Sequence, residues 1–309
     1  MKNNYNKRKE RAGSGGKRVG KSLESKTSEF GKKKDSSSKK SEGTFKSSEP
    51  KYKRSFSKST SAKSGNIPKK KSATDEMRLN RYIANAGVCS RREADTYITA
   101  GMVTVNGKPV TELGVKVKPT DEVRFDGRRL NPEKKIYLLL NKPKNFVTTT
   151  DDPHADKIVM DLVKNACSER IYPVGRLDRN TTGVLLFTND GDLSKRLTHP
   201  SHNMRKVYQV SLDKPAERNH LEDIANGIVL EDGPISSDDI SYVNDEEKTE
   251  VGIEIHSGKN RIVRRIFEHF GYRVKKLDRV YFAGLTKKNL QRGKWRFLSE
   301  KEILFLKKN

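Results

Sequence analysis

The sequence predicts an α+β fold with a largely antiparallel sheet, and three observations support this. Beyond residue 134, apolar runs of strand length mix with stretches of helical periodicity, without the regular strand–helix–strand order of a parallel sheet. Many of these predicted strands connect locally to the next one, which is typical of antiparallel pairing. Before that point, residues 77–133 predict a small α/β module, and residues 1–76 lack the composition of a folded domain.

The first 76 residues form a basic segment rich in Lys, Ser and Gly. They carry 23 Lys and Arg against 8 Asp and Glu, which is +15 of the net charge of +25. Their few large apolar residues cannot offset the conformational entropy lost on folding. We therefore expect a disordered tail that attracts phosphate groups without sequence preference; the competing interpretation is that it only aids solubility.

The composition limits the classes of function. A net charge of +25 over 309 residues favours a polyanionic partner, and nucleic acid more than an anionic membrane surface. No apolar run approaches the roughly 20 residues that span a bilayer, and no apolar segment follows the basic N-terminus as in a secretory signal. We therefore expect no membrane association.

Metal and cofactor signals are weak. Cys89 and Cys167 form neither a CxxC motif nor a disulfide framework, which favours a reducing, cytoplasmic location. His199 and His202 have a metal-binding spacing but no third ligand nearby, so we predict no metal site. Neither a Walker motif nor a GxGxxG motif is present, so we expect no nucleotide cofactor. We also expect a monomer.

The module predicts two helices followed by short hairpins. Apolar residues at helical spacing indicate a first helix over residues 79–86, with Gly87 suited to the position after its end. Ser90 and Glu93 form a capping-box pattern that opens a second helix, which extends to Ala100. A strand over 103–105 then enters an Asn-Gly turn, and a second strand pair surrounds an Asp-Gly turn between residues 121 and 130.

A hinge at residues 131–133 precedes the larger domain, residues 134–309. Its predicted strands are Ile136–Leu140, Val184–Phe187, Lys206–Leu212, Val251–Ile255, Val274–Tyr281 and Trp295–Leu298. Its predicted helices are Asp192–Thr198, Ala216–Asn226, Asn260–Phe270 and Glu300–Lys308.

A polar loop immediately before the strand Val184–Phe187 is the strongest functional signal from the residues themselves. It reads Gly175-Arg176-Leu177-Asp178-Arg179-Asn180-Thr181-Thr182-Gly183. A loop that feeds directly into a strand can hold a functional side chain rigidly. The two arginines beside Asp178 favour its ionised form, which suits a nucleophile, although a solvated surface charge pair would have the same sequence.

The module resembles the αL-type RNA-binding domain first known from a small-subunit ribosomal protein. The matching segments are Arg78-Leu79-Asn80-Arg81-Tyr82-Ile83-Ala84, Cys89-Ser90-Arg91-Arg92-Glu93-Ala94 and Gly101-Met102-Val103-Thr104-Val105-Asn106-Gly107-Lys108. The resemblance implies RNA contacts by Arg81, Arg91 and Arg92, near the start of the second helix, where the helix end also favours phosphate. The competing interpretation is a solvated basic helix face.

Four ordered segments of the larger domain resemble the RsuA/RluB-type ribosomal RNA pseudouridine synthases. They are Leu140-Asn141-Lys142-Pro143, Tyr172-Pro173-Val174-Gly175-Arg176-Leu177-Asp178 with its continuation to Gly191, Lys206-Val207-Tyr208, and Gly258-Lys259-Asn260-Arg261-Ile262-Val263-Arg264-Arg265. The family converts a uridine of RNA to pseudouridine by breaking its N1–C1′ bond and rejoining the base through C5. This isomerisation has no net redox change, which agrees with the lack of a cofactor signature.

The resemblance assigns roles to three residues. Asp178 would be the essential carboxylate, either adding to ribose C1′ or acting through a glycal-like intermediate; the sequence leaves both routes open. Tyr208 would stack on the target base, and Arg264 would pair with Asp178. Arg265 competes with Arg264, because the two lie about 100° apart around a helix and only one should face the site.

RNA contacts complete the expectation. Arg176 and Arg179 would contact phosphates around the extruded nucleotide, and Lys142 and Lys259 are weaker candidates for RNA contact. The expected partner is ribosomal RNA or a pre-ribosomal particle. The motifs resemble the 23S rRNA enzymes of the family more than the 16S rRNA enzymes. A 16S rRNA synthase and a non-catalytic RNA-binding assembly factor remain the alternatives.

Overall fold

The computed structural model describes residues 76–244 and 246–308. The predicted disordered tail, residues 1–76, lies outside the described residues except for Glu76. Within the described part of the chain, no helix is long and apolar enough to cross a membrane.

Two helices and short strands build the N-terminal module. The helices are α1 (Leu79–Asn85) and α2 (Arg91–Thr99). The strands are β1 (Met77–Arg78), β2 (Val103–Val105), β3 (Lys108–Pro109), β4 (Lys116–Val117), β5 (Val123–Phe125) and β6 (Arg128–Arg129). An antiparallel sheet has the order β3-β2-β5-β6, and β1 pairs with β4.

The local signals of the module are confirmed. Ser90 and Glu93 form the predicted capping box at the start of α2. Asn106 and Gly107 both have positive φ, 51° and 78°, as the tight turn between β2 and β3 requires. A hydrophobic cluster joins the helices to the sheet and consists of Leu79, Ile83, Cys89, Ala94, Ile98, Val103, Val117, Val123 and Leu130.

The larger domain begins with β7. Its strands are β7 (Tyr137–Lys142), β8 (Tyr172–Pro173), β9 (Thr181–Thr188), β10 (Lys206–Leu212), β11 (Ile228–Leu230), β12 (Gly233–Ile235), β13 (Asp239–Tyr242), β14 (Glu250–Ile255), β15 (Val274–Phe282), β16 (Leu285–Thr286) and β17 (Trp295–Phe297). Its α-helices are α3 (Gly191–Thr198), α4 (Arg218–Asn226), α5 (Ile262–His269) and α6 (Glu300–Lys308). Two short 3₁₀ helices cover Val159–Leu162 and Pro200–His202.

The central sheet of this domain is mixed and mostly antiparallel. Its order is β13-β14-β10-β15-β9-β7-β17, with β8 paired to β9 and β16 paired to β15. The β9–β15 pair is parallel, and the other pairings of this sheet are antiparallel. The predicted α+β class with a largely antiparallel sheet is therefore confirmed.

Strands β7 and β9 are covered on both faces, which explains their continuous apolar runs. Leu138 and Leu140 of β7 belong to a cluster that includes Ile266 and Phe267 of α5. Leu139, between them, belongs to a second cluster that includes residues of α3 and α6. The sheet thus has packed helices on both sides where it approaches the Asp178 loop.

Two helices begin at a later residue than the sequence predicted. Helix α5 starts at Ile262 and not at Asn260, because Arg261 adopts the left-handed conformation with φ 47°. Helix α4 starts at Arg218 and not at Ala216, because the backbone of Glu217 is extended and Ala216 is buried in the core. Strands β11–β13 were not predicted; each is only three or four residues long, which leaves too little sequence for a strand pattern to stand out.

Candidate active site

A cavity of about 200 Å³ opens where the start of β9, the start of β10 and the middle of β15 meet. Its lining includes the cations and the candidate reactive groups Arg176, Asp178, Lys206, Tyr208, Lys259 and Arg279. Two irregular segments border it: the Asp178 loop, residues 175–180, and a rim segment, residues 256–261.

Lys142, the last residue of β7, fixes the Asp178 loop from beneath. Its side chain is fully buried, and its Nζ donates hydrogen bonds to the carbonyl oxygens of Asp178 (3.1 Å), Arg179 (3.2 Å), Thr181 (2.9 Å) and Pro143 (3.2 Å). Burial lowers the pKa of Lys142 to about 8, although the nearby Asp178 opposes this shift. The prediction that Lys142 contacts RNA is wrong, because its ammonium group is occupied by backbone carbonyls beneath the loop.

Further hydrogen bonds hold the backbone on both sides of Asp178. The hydroxyl of Thr148 donates to the carbonyl of Leu177 at 2.7 Å, and the amide of Asn145 donates to the carbonyl of Arg179 at 2.9 Å. The amide of Thr181 donates to the carbonyl of Asp178 at 3.0 Å. The side chain of Asp178 is 38% exposed and lines the cavity, so a fixed backbone presents an accessible carboxylate.

Arg264, and not Arg265, is the arginine of α5 that lies beside Asp178. Its Nε is 3.9 Å from Oδ2 of Asp178, and its Nη1 donates to the carbonyl of Val274 at 3.1 Å. Nε has no hydrogen-bond partner among the described residues. Burial, followed by the neighbouring Arg261, lowers the pKa of Arg264, whereas Asp178 opposes the shift. Arg265 instead makes a two-pronged ion pair with Asp232, at 2.6 and 2.9 Å.

Tyr208 lies on β10 and lines the cavity with 9% of its surface exposed. It stands opposite Arg279 of β15, next to a register shift between the two strands. Irregularities of this kind re-aim side chains near functional sites. The ring therefore forms part of the inner surface of the cavity and is not an exposed platform.

Two cations of the cavity were not assigned roles from the sequence. Lys206 binds the rim segment, because its Nζ donates to the carbonyl oxygens of His256 (2.7 Å) and Ser257 (3.4 Å), as well as to Met204 (2.9 Å). Burial, followed by the neighbouring Arg279, lowers the pKa of Lys206 to about 8. Lys206 stands in the quoted Lys-Val-Tyr segment, but its own chemistry was not considered.

Arg279 is the second such cation, and it is 3% exposed. Its Nε donates to the carbonyl of Val184 at 2.9 Å, and the guanidinium lies 4.6 Å from the centroid of the Phe282 ring. Gly183 makes this arrangement possible: its φ is 107°, and a Cβ there would lie 2.1 Å from the carbonyl oxygen of Arg279. The sequence contained a hint of this burial. Arg279 lies two residues after the apolar Leu277 on β15, so both side chains point to the same face of the strand.

The remaining predicted RNA-contact residues lie in different settings. Arg176 and Arg179 are exposed on the Asp178 loop, and Arg176 lines the cavity. Lys259 lies on the rim, where its Nζ donates to the carbonyl of Asp232 at 2.9 Å. Arg81 forms an ion pair with Asp192 in the first turn of α3. The exposed cations at the start of α2 are Arg91 and Arg92.

The cavity is suited to a nucleotide of a polyanionic chain. It combines one accessible carboxylate with an aromatic ring, and cations line its inner surface and rim. Among the described residues, no group of three or more His, Cys, Asp or Glu side chains is placed to hold a metal ion. The lining side chains include the carboxylate of Asp178, which can act on an electrophilic carbon, and the ring of Tyr208, on which a base can stack.

Known proteins share this architecture. A family model for RNA pseudouridylate synthases matches residues 136–269, and a model for the S4 domain matches residues 77–123. The ribosomal large subunit pseudouridine synthase B of Bacillus subtilis (strain 168) is 40% identical over 229 residues, which are 73% of this chain and 93% of that protein. This chain belongs to the RNA pseudouridine synthase family.

Two further members of the family extend the comparison. The dual-specificity RNA pseudouridine synthase RluF of Escherichia coli (strain K12) is 38% identical over 233 residues, 74% of this chain and 78% of that protein. A crystal structure described as a pseudouridylate synthase superposes with a TM-score of 0.55 at 31% identity, covering 74% of this chain and 99% of the other. The expected RsuA/RluB-type family and its upstream RNA-binding domain, the S4 domain, are thus confirmed.

Proposed function

We propose that this protein isomerises a specific uridine of 23S rRNA to pseudouridine, with Asp178 as the essential carboxylate. In this proposal Tyr208 stacks on the extruded uracil and Arg264 orients Asp178. Arg91 and Arg92 of the S4 domain, together with Arg176 and Arg179, contact RNA phosphates. Lys259 stays a weaker candidate for RNA contact and Arg81 becomes one, because each is already bound to an aspartate residue.

One observation carries the proposal: the fixed and accessible position of Asp178. Lys142 and Thr148 hold the backbone beside it, and Arg264 lies 3.9 Å from its carboxylate. Such preorganisation is valuable when a carboxylate must meet one carbon atom of a bound nucleotide. A non-catalytic RNA-binding factor would not need this arrangement, which is why we favour the enzyme over the assembly factor.

The choice of 23S rRNA rests on similarity to a relative that is named for the large ribosomal subunit. A 16S rRNA target is the alternative. We further propose that the protein acts as a cytoplasmic monomer without a nucleotide cofactor, since the isomerisation has no net redox change.

Conversion of uridine in rRNA by purified wild-type protein and by Asp178→Asn tests the proposal. The variant keeps the size of the side chain and removes the nucleophile, so pseudouridine formation should fall below detection while RNA binding persists. Asp156→Asn, at an exposed position, is the matched control and should convert uridine at the wild-type rate. Conversion by Asp178→Asn would show that the mechanism is wrong, and absence of conversion by the wild type would favour the assembly factor.

A further inference from the structure

Arg279 is a buried cation of the cavity that the mechanism above does not use. It is 3% exposed and lines the cavity, and within the described part of the chain its guanidinium forms a hydrogen bond only through Nε, to the carbonyl of Val184. Its Nη2 is buried and has no hydrogen-bond partner among the described residues. A buried guanidinium with an unused donor is costly unless a partner arrives, so this group points to a ligand.

The position of Arg279 indicates which part of a nucleotide would reach it. Arg279 and Tyr208 are directly opposite each other on antiparallel strands, so their side chains emerge on the same face of the sheet. A base stacked on Tyr208 therefore presents an edge toward Arg279. We expect the RNA phosphates to lie beside Arg176 and Arg179, which are exposed on the Asp178 loop, because the phosphates remain part of the RNA chain.

The proposed reaction generates negative charge on the base. When the N1–C1′ bond breaks, its electron pair leaves with N1, and the charge of the resulting uracil anion spreads over the oxygens O2 and O4. When C5 bonds to C1′, that electron density forms the new bond, C5 loses its proton and N1 gains one, so atoms and electrons balance. A donor beside those oxygens stabilises the transition state of the cleavage step.

We propose that Arg279 is a catalytic residue that donates hydrogen bonds to a carbonyl oxygen of the uracil and stabilises the departing uracil anion. This inference rests on the proposed function. Arg279 is suited to the task because its guanidinium is already fixed, by Val184 on one side and by the ring of Phe282 on the other. A preorganised cation in a site with little water acts more strongly than an exposed one.

Arg279 could instead serve only to join β9 to β15, and the test must separate the two roles. Single-turnover consumption of the target nucleotide is measured with RNA that carries either uridine or 5-fluorouridine at the target position. Fluorine at C5 withdraws electrons and makes the base a better leaving group, so the reaction depends less on Arg279. Arg273→Met, which removes an exposed arginine just before β15, is the matched control.

Arg279→Met should slow consumption of uridine by about 100-fold and that of 5-fluorouridine by only about 10-fold, with little change in RNA affinity. Arg273→Met should change neither rate. If Arg279→Met does not fold, Arg279→Lys, which keeps the charge, replaces it. The rate loss with uridine is again compared with the rate loss with 5-fluorouridine, and a smaller loss with 5-fluorouridine supports the inference. Equal slowing of both substrates, or no slowing, overturns this inference alone. A wild-type protein that consumes neither substrate overturns the proposed function, and this inference falls with it.

Discussion

A lysine binds backbone carbonyls on each side of the cavity, but only the rim side also depends on exposed ion pairs. The Asp178 loop is fixed by a fully buried lysine and a buried threonine that bind backbone carbonyls. The opposite side is tied partly by Lys206, which binds carbonyls of the rim segment, and partly by Asp232, a 42%-exposed carboxylate paired with Lys259 and Arg265. Buried contacts are little screened by salt, whereas exposed ion pairs are weakened by it.

This difference agrees with what the Asp178 loop and the rim segment each have to do. The carboxylate must meet a single carbon atom, and small displacements of reacting groups are costly to the rate. The rim must let a nucleotide of a long RNA chain enter and leave. We therefore expect substitutions beneath the Asp178 loop to reduce the chemical step, and substitutions on the rim to affect mainly RNA affinity.

Among the residues that hold the two sides of the cavity in place, the largest effect is expected from Lys142→Met. The variant removes the hydrogen bonds of the buried ammonium group to four backbone carbonyls, so it should reduce the free energy of unfolding by about 2–4 kcal/mol. The single-turnover rate should fall by about 100-fold or more, because the loop no longer holds Asp178 in place. Urea denaturation and single-turnover kinetics provide the measurements. Lys144→Met, two residues away and exposed, should behave as the wild type, and a fully active Lys142→Met would refute the role of the buried lysine.

The two arginines of α5 give a second comparison. Arg264→Met should lower the single-turnover rate by roughly 10- to 100-fold, because it removes the cation beside Asp178. Arg265→Met removes the same charge from an exposed ion pair, so the rate should change by about fivefold or less. Both variants are compared at saturating RNA. A larger loss for Arg265→Met would reverse the assignment of the two arginines.

The lowered pKa of Lys206 predicts that the free energy of unfolding depends on pH. Its pKa is about 8 in the folded protein, against an ordinary value of 10.5, so between these values the unfolded chain binds more protons than the folded one. The free energy of unfolding should therefore rise with pH across this window, and Lys206 should contribute roughly 1–3 kcal/mol to the rise. Denaturation of the wild type and Lys206→Met at about pH 7.5 and about pH 10 measures the contribution. Parallel pH profiles would show that Lys206 does not contribute.

The smallest effect is expected at Asp232 on the rim. Pairing with Arg265 lowers the pKa of Asp232 to about 2, so the carboxylate is ionised throughout the range of use. Asp232→Asn should weaken RNA binding by about threefold and leave the saturated rate unchanged, since exposed pairs contribute little. The difference should shrink as salt is raised. Asp239→Asn is the exposed control on β13, and a rate loss confined to Asp232→Asn at saturating RNA would contradict the separation of the two sides.

The sequence predicted the fold class and several local features, because these depend on short-range signals. The capping box at Ser90, the turn at Asn106 and the strand Lys206–Leu212 follow from residue types at fixed spacing. The Asp178 loop stood out as a polar segment directly before a strand, but its catalytic role came from the family resemblance. Its proximity to Arg264 came from a family resemblance and not from spacing, since the two residues are 86 positions apart.

The buried cations could not be placed from the sequence. Lysine and arginine are mostly exposed, so Lys142 at the end of a strand was interpreted as a surface residue. Only the pairing of β7 with β9, which sets Lys142 opposite Gly183, brings its ammonium group under the loop. Arg279 likewise depends on the parallel β9–β15 pair and on the absence of a side chain at Gly183. Long-range register, and not local pattern, determines both sites.

Pseudouridine mapping of ribosomal RNA tests the central claim most directly. RNA is compared from a strain that lacks this protein and from the same strain carrying either the wild-type chain or Asp178→Asn. We predict that one pseudouridine of 23S rRNA is lost, that the wild-type chain restores it, and that Asp178→Asn does not. An unchanged map, or restoration by Asp178→Asn, would contradict the account; loss from 16S rRNA instead would keep the enzyme and correct its target.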